Sequence, residues 1–212
     1  MQNNTWNNML TFSTIKELQK KQNELDKLIH QQSTIKFEWI SLWNVKRLKL
    51  ALFAEVAEFA NELKTFKVWR KKKEIDWPKA KEELIDCLCF FLGLCNIYQI
   101  DFLDFKNEHN EESSSINNKL YRGNVSDNQR QLEESGKINQ LILTFFSKTN
   151  NLSENENWDQ KASIKIQEKN AYYSWLQTFN EIIENLKMDE AEVLKVYLDK
   201  FDFNKERVKK GC

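Results

Sequence analysis

The stretch ALFAEVAEFANELKTFKVW, residues 51–69, decides the fold, and EELIDCLCFF at 82–91 answers it. The first places Glu55, Glu58 and Glu62 at i, i+3 and i+7; the second places Glu83 and Asp86 at i and i+3. A helix of 3.6 residues per turn gathers such spacings onto one stripe. Two helices laid face to face would bring four or five of these acids to one point.

An E-x-x-E pair alone is ordinarily a solvated helix face. Here the acids sit among Ala51, Ala54, Val56, Ala57, Phe59 and Ala60, which read as buried, and the second pair adjoins the most apolar run of the chain. Carboxylates in such surroundings are costly without a counter-charge. Hard oxygen ligands without His or Cys suit Mg²⁺ or Mn²⁺, and Mg²⁺ commonly takes further oxygens from substrate phosphates. Lys67 and the run Arg70, Lys71, Lys72, Lys73 follow closely. The combination points to a metal-dependent enzyme acting on a phosphorylated substrate, although the run 70–73 also reads as a solvated turn.

At 212 residues the chain can bury a real core, and the expectation is a single domain over 1–212. Only four Gly and one Pro are available for turns, which favours an all-α protein. Lys+Arg and Asp+Glu balance at 32 each, so no global field recommends nucleic acid or an acidic membrane as partner. No run approaches the ~18 apolar residues of a membrane span, and MQNNTWNNMLTF lacks a signal peptide's pattern. A soluble, cytoplasmic protein is expected. Cys87, Cys89 and Cys95 read as small buried hydrophobes rather than a disulfide framework or a zinc site. With only His30 and His109 present, the chemistry must run on carboxylates.

Helical periodicity covers 14–30, with Thr14 and Glu17 as a capping box, then about 44–66, with Trp39 and Trp43 anchoring the connection before it. Pro78 suits the first turn of a helix over 78–98, the candidate for a central helix buried on all sides. Residues 104–136 read as a polar, mobile portion, 137–148 as a helix, 150–160 as a linker and 163–186 as a long helix. Asp189 and Glu190 open the last helix with charges that favour its dipole.

These motifs resemble the dimeric all-α dUTPase family, within the MazG-like all-α nucleoside triphosphate pyrophosphatases. AEVAEFANELKTFKVW looks like the family pattern VELxELANExxxFKxW, and EELIDCLCFF is similar to E-x-x-D-x-x-H-F. Gln22, Leu25 and Asp26 resemble LQxxLD, with Lys21 at the usual Leu; YLDKFDFNKERVKKGC is similar to Y-x-x-K-x-x-x-N-x-x-R-x-x-x-G-Y. The resemblance implies a helical bundle with a rigid core and a more mobile polar insertion, acting as a homodimer. It implies Mg²⁺-dependent hydrolysis of dUTP, and of dUDP, to dUMP, with Mn²⁺ as a substitute. Glu55, Glu58, Glu83 and Asp86 would be the metal ligands and catalytic acids. One of them, or Glu62 or Glu82, would accept a proton. Gln22, Phe90 and Trp69 would meet the uracil, and Lys67, Lys200, Asn204 and Arg207 the phosphates or deoxynucleoside.

The chain departs from the pattern at Cys89, where the family has His, and at Cys212, where the pattern continues with Tyr. Cys89 keeps a housecleaning pyrophosphatase for dCTP or a modified nucleotide as an alternative. A non-enzymatic helical interaction module is the other.

Overall fold

The computed structural model describes residues 10–35, 37–69, 75–102, 127–152 and 166–211; six helices, and no strand, lie among them. They are α1 (Phe12–Gln32), α2 (Leu42–Leu63), α3 (Trp77–Ile97), α4 (Asp127–Asn150), α5 (Ile166–Asn185) and α6 (Glu190–Lys209). The all-α reading holds.

Local chemistry sets most of their ends. Thr11, not Thr14, caps α1: its hydroxyl accepts the Thr14 N–H at 3.2 Å, which puts Thr14 inside the first turn and removes the expected Thr14–Glu17 box. Ser41 caps α2 through Asn44 N–H, and Asp76 caps α3 through Lys79 N–H at 3.1 Å, with Pro78 in the first turn as its missing N–H allows. Asp189 caps α6 through Glu192 N–H at 2.8 Å. Helix α2 stops at Lys64, whose φ of 57° is left-handed. It therefore ends earlier than the expected residue 66, and Phe66 to Trp69 lie beyond it.

Helix α3 is the hub. It packs most extensively on α2 and also meets α1 and α6, while α4 bridges α2 and α5. Leu52, Val56 and Phe59 of α2 and Leu84, Leu88 and Phe91 of α3 are fully buried in the shared core. Each such side chain contributes about 1.5–3 kcal/mol by leaving water. Phe91 stacks on Trp175 of α5 with ring centroids 3.8 Å apart, and the indole N–H donates to Thr149 of α4 at 2.9 Å. The buried Lys49 of α2 donates to the carbonyls of Asn150 and Leu152, closing the C-terminal end of α4.

Several expectations need correction. The fourth helix begins at Asp127 rather than 137, so the final part of the expected mobile portion is helical and Gly136 lies inside α4. Ala54 and Ala57 are exposed: α2 buries one stripe, not its whole circumference. Helix α3 is likewise not buried all round, because Cys89 and Phe90 are only half-buried. Trp39 packs against the core, but Trp43 is 52% exposed and stands against Phe37 instead. The basic run 70–73, residues 104–126 of the polar portion, most of the linker, 153–160, and the first residues of the expected long helix, 163–165, lie outside the described residues.

Candidate active site

The α2–α3 pairing does what the two acid stripes require. Carboxylate oxygens of Glu55, Glu58 and Glu83 lie within 4.8 Å of one another. Glu83 is buried, Glu55 half-buried and Glu58 exposed, so the group opens from the helix interface to solvent. Asp86, one turn beyond Glu83, is instead engaged by Lys200 of α6, whose Nζ lies 2.7 Å from its carboxylate and 2.6 Å from that of Glu82. Lys79, on the first turn of α3, reaches Glu83 at 2.6 Å and Glu82 at 3.6 Å. Its i, i+4 and i, i+3 spacings to those acids could have been read from the sequence.

The electrostatics follow from this distribution. Lys200, reinforced by Lys79, holds Glu82 below the usual carboxylate range. Asp86 is raised by burial, with Lys200 pulling the other way. Glu55 is pushed up to about 7 by burial, by the charges of Asp86, Glu58 and Glu83, and by its hydrogen bond with Glu83. Lys200 is itself raised: burial opposes its charge, but the bonds to Asp86 and Glu82 outweigh burial. Two lysines serve the α3 acids, and among the described residues the α2 side of the cluster is left short of positive charge. A hard, oxygen-only donor set with this deficit fits a divalent cation such as Mg²⁺ or Mn²⁺.

Beside the acids lies a buried polar chain. The Tyr197 hydroxyl of α6 donates toward Gln22 Oε1 at 3.0 Å and Leu18 O at 3.2 Å, and Gln22 Nε2 donates to Asp26 Oδ1 at 2.7 Å. The other Asp26 oxygen is buried without a partner, and a Cβ on Gly93 would stand 3.3 Å from it. Cys89 is close enough to raise Tyr197 and, in turn, to be raised by Asp86 and Asp26, although burial dominates both shifts. It thus sits between the two groups. Sequence reasoning assigned no role to Asp26, Tyr197 or Lys79; burial of Asp26 and the reach of α6 are tertiary facts.

The remaining candidates are dispersed. Phe90 is half-buried against the core. Lys67 donates to the Asn61 side chain, one turn beyond Glu58, and its ammonium group stands over Phe66. Trp69 is 71% exposed and meets Phe66 edge-on. Arg207 is exposed over the Phe203 ring, and Asn204 is half-buried. Glu62 pairs with Lys64 at 3.9 Å rather than with the acid cluster. Cys87 and Cys95 are buried free thiols, as read from the sequence.

No helix among the described residues is long and apolar enough to cross a membrane. A search of curated proteins finds no match. A family model described as dUTPase matches residues 14–212. That span takes in both acid stripes, the Gln22 segment and the Lys200 helix, and with it the chain belongs to the dimeric all-α dUTPase family as a dUTP diphosphatase, a hydrolase of nucleotide metabolism.

Proposed function

We propose that the chain hydrolyses dUTP, and dUDP, to dUMP with Mg²⁺ held by Glu55, Glu58, Glu83 and Asp86. The observation that carries this reading is the convergence of Glu55, Glu58 and Glu83 oxygens within 4.8 Å, with Glu55 pushed up to about 7 by burial and by neighbours of its own sign. A bound divalent cation would supply Lewis-acid stabilisation of phosphate oxygens and lower the pKa of a coordinated water. The protein's part is to orient the anhydride and to move a proton. Glu82 is a poor acceptor for that proton, because Lys200 and Lys79 hold it ionised and occupied. The cluster acids on α2, which face less positive charge among the described residues, are better placed.

Gln22 is fixed by Tyr197 and Asp26 in a dry setting where a base edge could be read, and we assign it, with Phe90, to the uracil. Buried polar groups of this kind discriminate strongly, since a mismatched base would leave them unpaired. Lys200 is assigned to the phosphates, with Asn204 and Arg207 following at i+4 and i+7 on α6. Lys67 is assigned to the phosphates and Trp69 to the uracil; both lie beyond the end of α2.

A homodimer is part of the proposal, supported by the exposed α2 stripe Leu50, Ala54, Ala57 and Asn61, with Leu50 72% exposed. Free thiols at Cys87, Cys89 and Cys95 suit a reducing compartment, the cytoplasm. A panel of nucleotides turned over with Mg²⁺ tests the selectivity. Fast dUTP hydrolysis beside slow dCTP and dTTP hydrolysis is expected; comparable or faster turnover of another base would sink the assignment to uracil and point to Cys89.

A further inference from the structure

Glu82 belongs to neither motif's metal-binding pair, yet it touches more of the site's positive charge than any of them. Its carboxylate is 2.6 Å from Lys200 Nζ and 3.6 Å from Lys79 Nζ. The same lysines reach the flanking acids, Lys79 to Glu83 at 2.6 Å and Lys200 to Asp86 at 2.7 Å. Acid and ammonium therefore alternate along Glu83, Lys79, Glu82, Lys200 and Asp86.

A cation entering the Glu83 and Asp86 oxygens must displace both ammonium groups, since like charges a few ångströms apart repel strongly away from bulk water. Lysine is a compact point charge with three donors, able to pivot between acceptors on a flexible stem. Adjacent residues on a helix point about 100° apart, so Glu82 lies off the stripe that Glu83 and Asp86 share, with its side chain 41% exposed. The lysines thus have a second carboxylate that the cation does not claim.

We propose that Glu82 is a positioning residue: it retains Lys79 and Lys200 when a divalent cation displaces them from Glu83 and Asp86, and so leaves both charges beside an arriving phosphate. This rests on the reading of those acids as cation ligands. A residue that merely ties α3 to α6 through Lys200 would affect stability but not cation affinity in a lysine-dependent way.

The test is a double-mutant cycle on the full chain, with Mn²⁺ binding followed by electron paramagnetic resonance in the absence of nucleotide. Glu82→Gln is expected to weaken Mn²⁺ binding about threefold to tenfold, because the lysines then hold Glu83 and Asp86 alone. Lys79→Met with Lys200→Met is expected to strengthen binding by a similar factor. In that lysine-free background Glu82→Gln should change the affinity by less than about twofold. Equal weakening in both backgrounds would overturn the proposal, reducing Glu82 to a general negative charge, and so would no weakening in either. Absence of saturable Mn²⁺ binding in the unaltered protein would overturn the cation-site reading beneath it. If the triple variant loses its helical signal, the same cycle run with Lys200→Met alone decides between these outcomes.

Discussion

Gln22 donates its side-chain N–H to Asp26 at 2.7 Å, one helical turn along α1, and the second Asp26 oxygen is left buried with no partner. Burial pushes this carboxyl from 3.8 up to about 7, with the Gln22 bond and the Arg47 charge acting against the shift. The folded chain therefore binds a proton more tightly than the unfolded one, and the stability this group contributes declines as pH rises from about 4 through 7. Asp26→Asn keeps the acceptor for Gln22 and cannot ionise. It should match the parent in urea unfolding near pH 4 and exceed it at pH 8 by on the order of 4 kcal/mol. A variant less stable than the parent at pH 8 would show that the ionised carboxylate is well solvated or paired.

Glu58→Gln with Glu83→Gln removes two of the three converging carboxylates. dUTP turnover should fall by at least about a hundredfold and calorimetric Mg²⁺ binding should vanish. The metal-free variant should melt no lower than the parent, because like charges have been taken apart. Retained Mg²⁺ binding would place the cation elsewhere.

Cation binding also has a pH dependence that Glu55 sets. A carboxyl near 7 must lose its proton before it can ligate, so Mg²⁺ affinity should rise by up to roughly tenfold per unit below about pH 7 and level off above it. In Glu55→Gln the affinity should be weaker and nearly flat over pH 6–8. A profile in the Gln variant as steep as the parent's would assign the proton to another group.

Lys49 is a structural counterpart to the active-site lysines. It is only 6% exposed, and its Nζ donates to the carbonyls of Asn150 at 2.8 Å and Leu152 at 3.0 Å. Lys49→Met fills the same space but leaves those acceptors unmet, and should cost about 1–3 kcal/mol in unfolding free energy. Thermal unfolding measures it, and an unchanged midpoint would mean that water takes over both bonds.

The helical fold and the acid cluster were legible because both are local. A 3.6-residue period is written along α2 and α3, and the E-x-x-E and E-x-x-D spacings put Glu55 and Glu58, and Glu83 and Asp86, on shared faces. What was hidden depends on partners distant in sequence. Nothing beside Asp26 announces that it will be buried against Gly93 of α3, and nothing beside Asp86 announces Lys200. The polar portion was expected to extend through Gly136, yet a helix tolerates an interior glycine at about 1 kcal/mol, and α4 runs through it. The end of α2 was misplaced for the opposite reason: the apolar period continues to Phe66, but Lys64 adopts a left-handed conformation without being a glycine.

The pairing of α1 with α6 bears on how the chain is made. Thr14 bonds Glu190, Gln22 receives Tyr197 and Glu24 receives Lys205, across separations of 175 to 181 residues. A ribosome adding ~5–20 residues per second needs roughly ten to forty seconds to supply the second member of each pair. Until then Ile15, Leu18 and Leu25 have α3 but not α6 to cover them. The nascent chain therefore carries a half-dressed first helix through most of its synthesis.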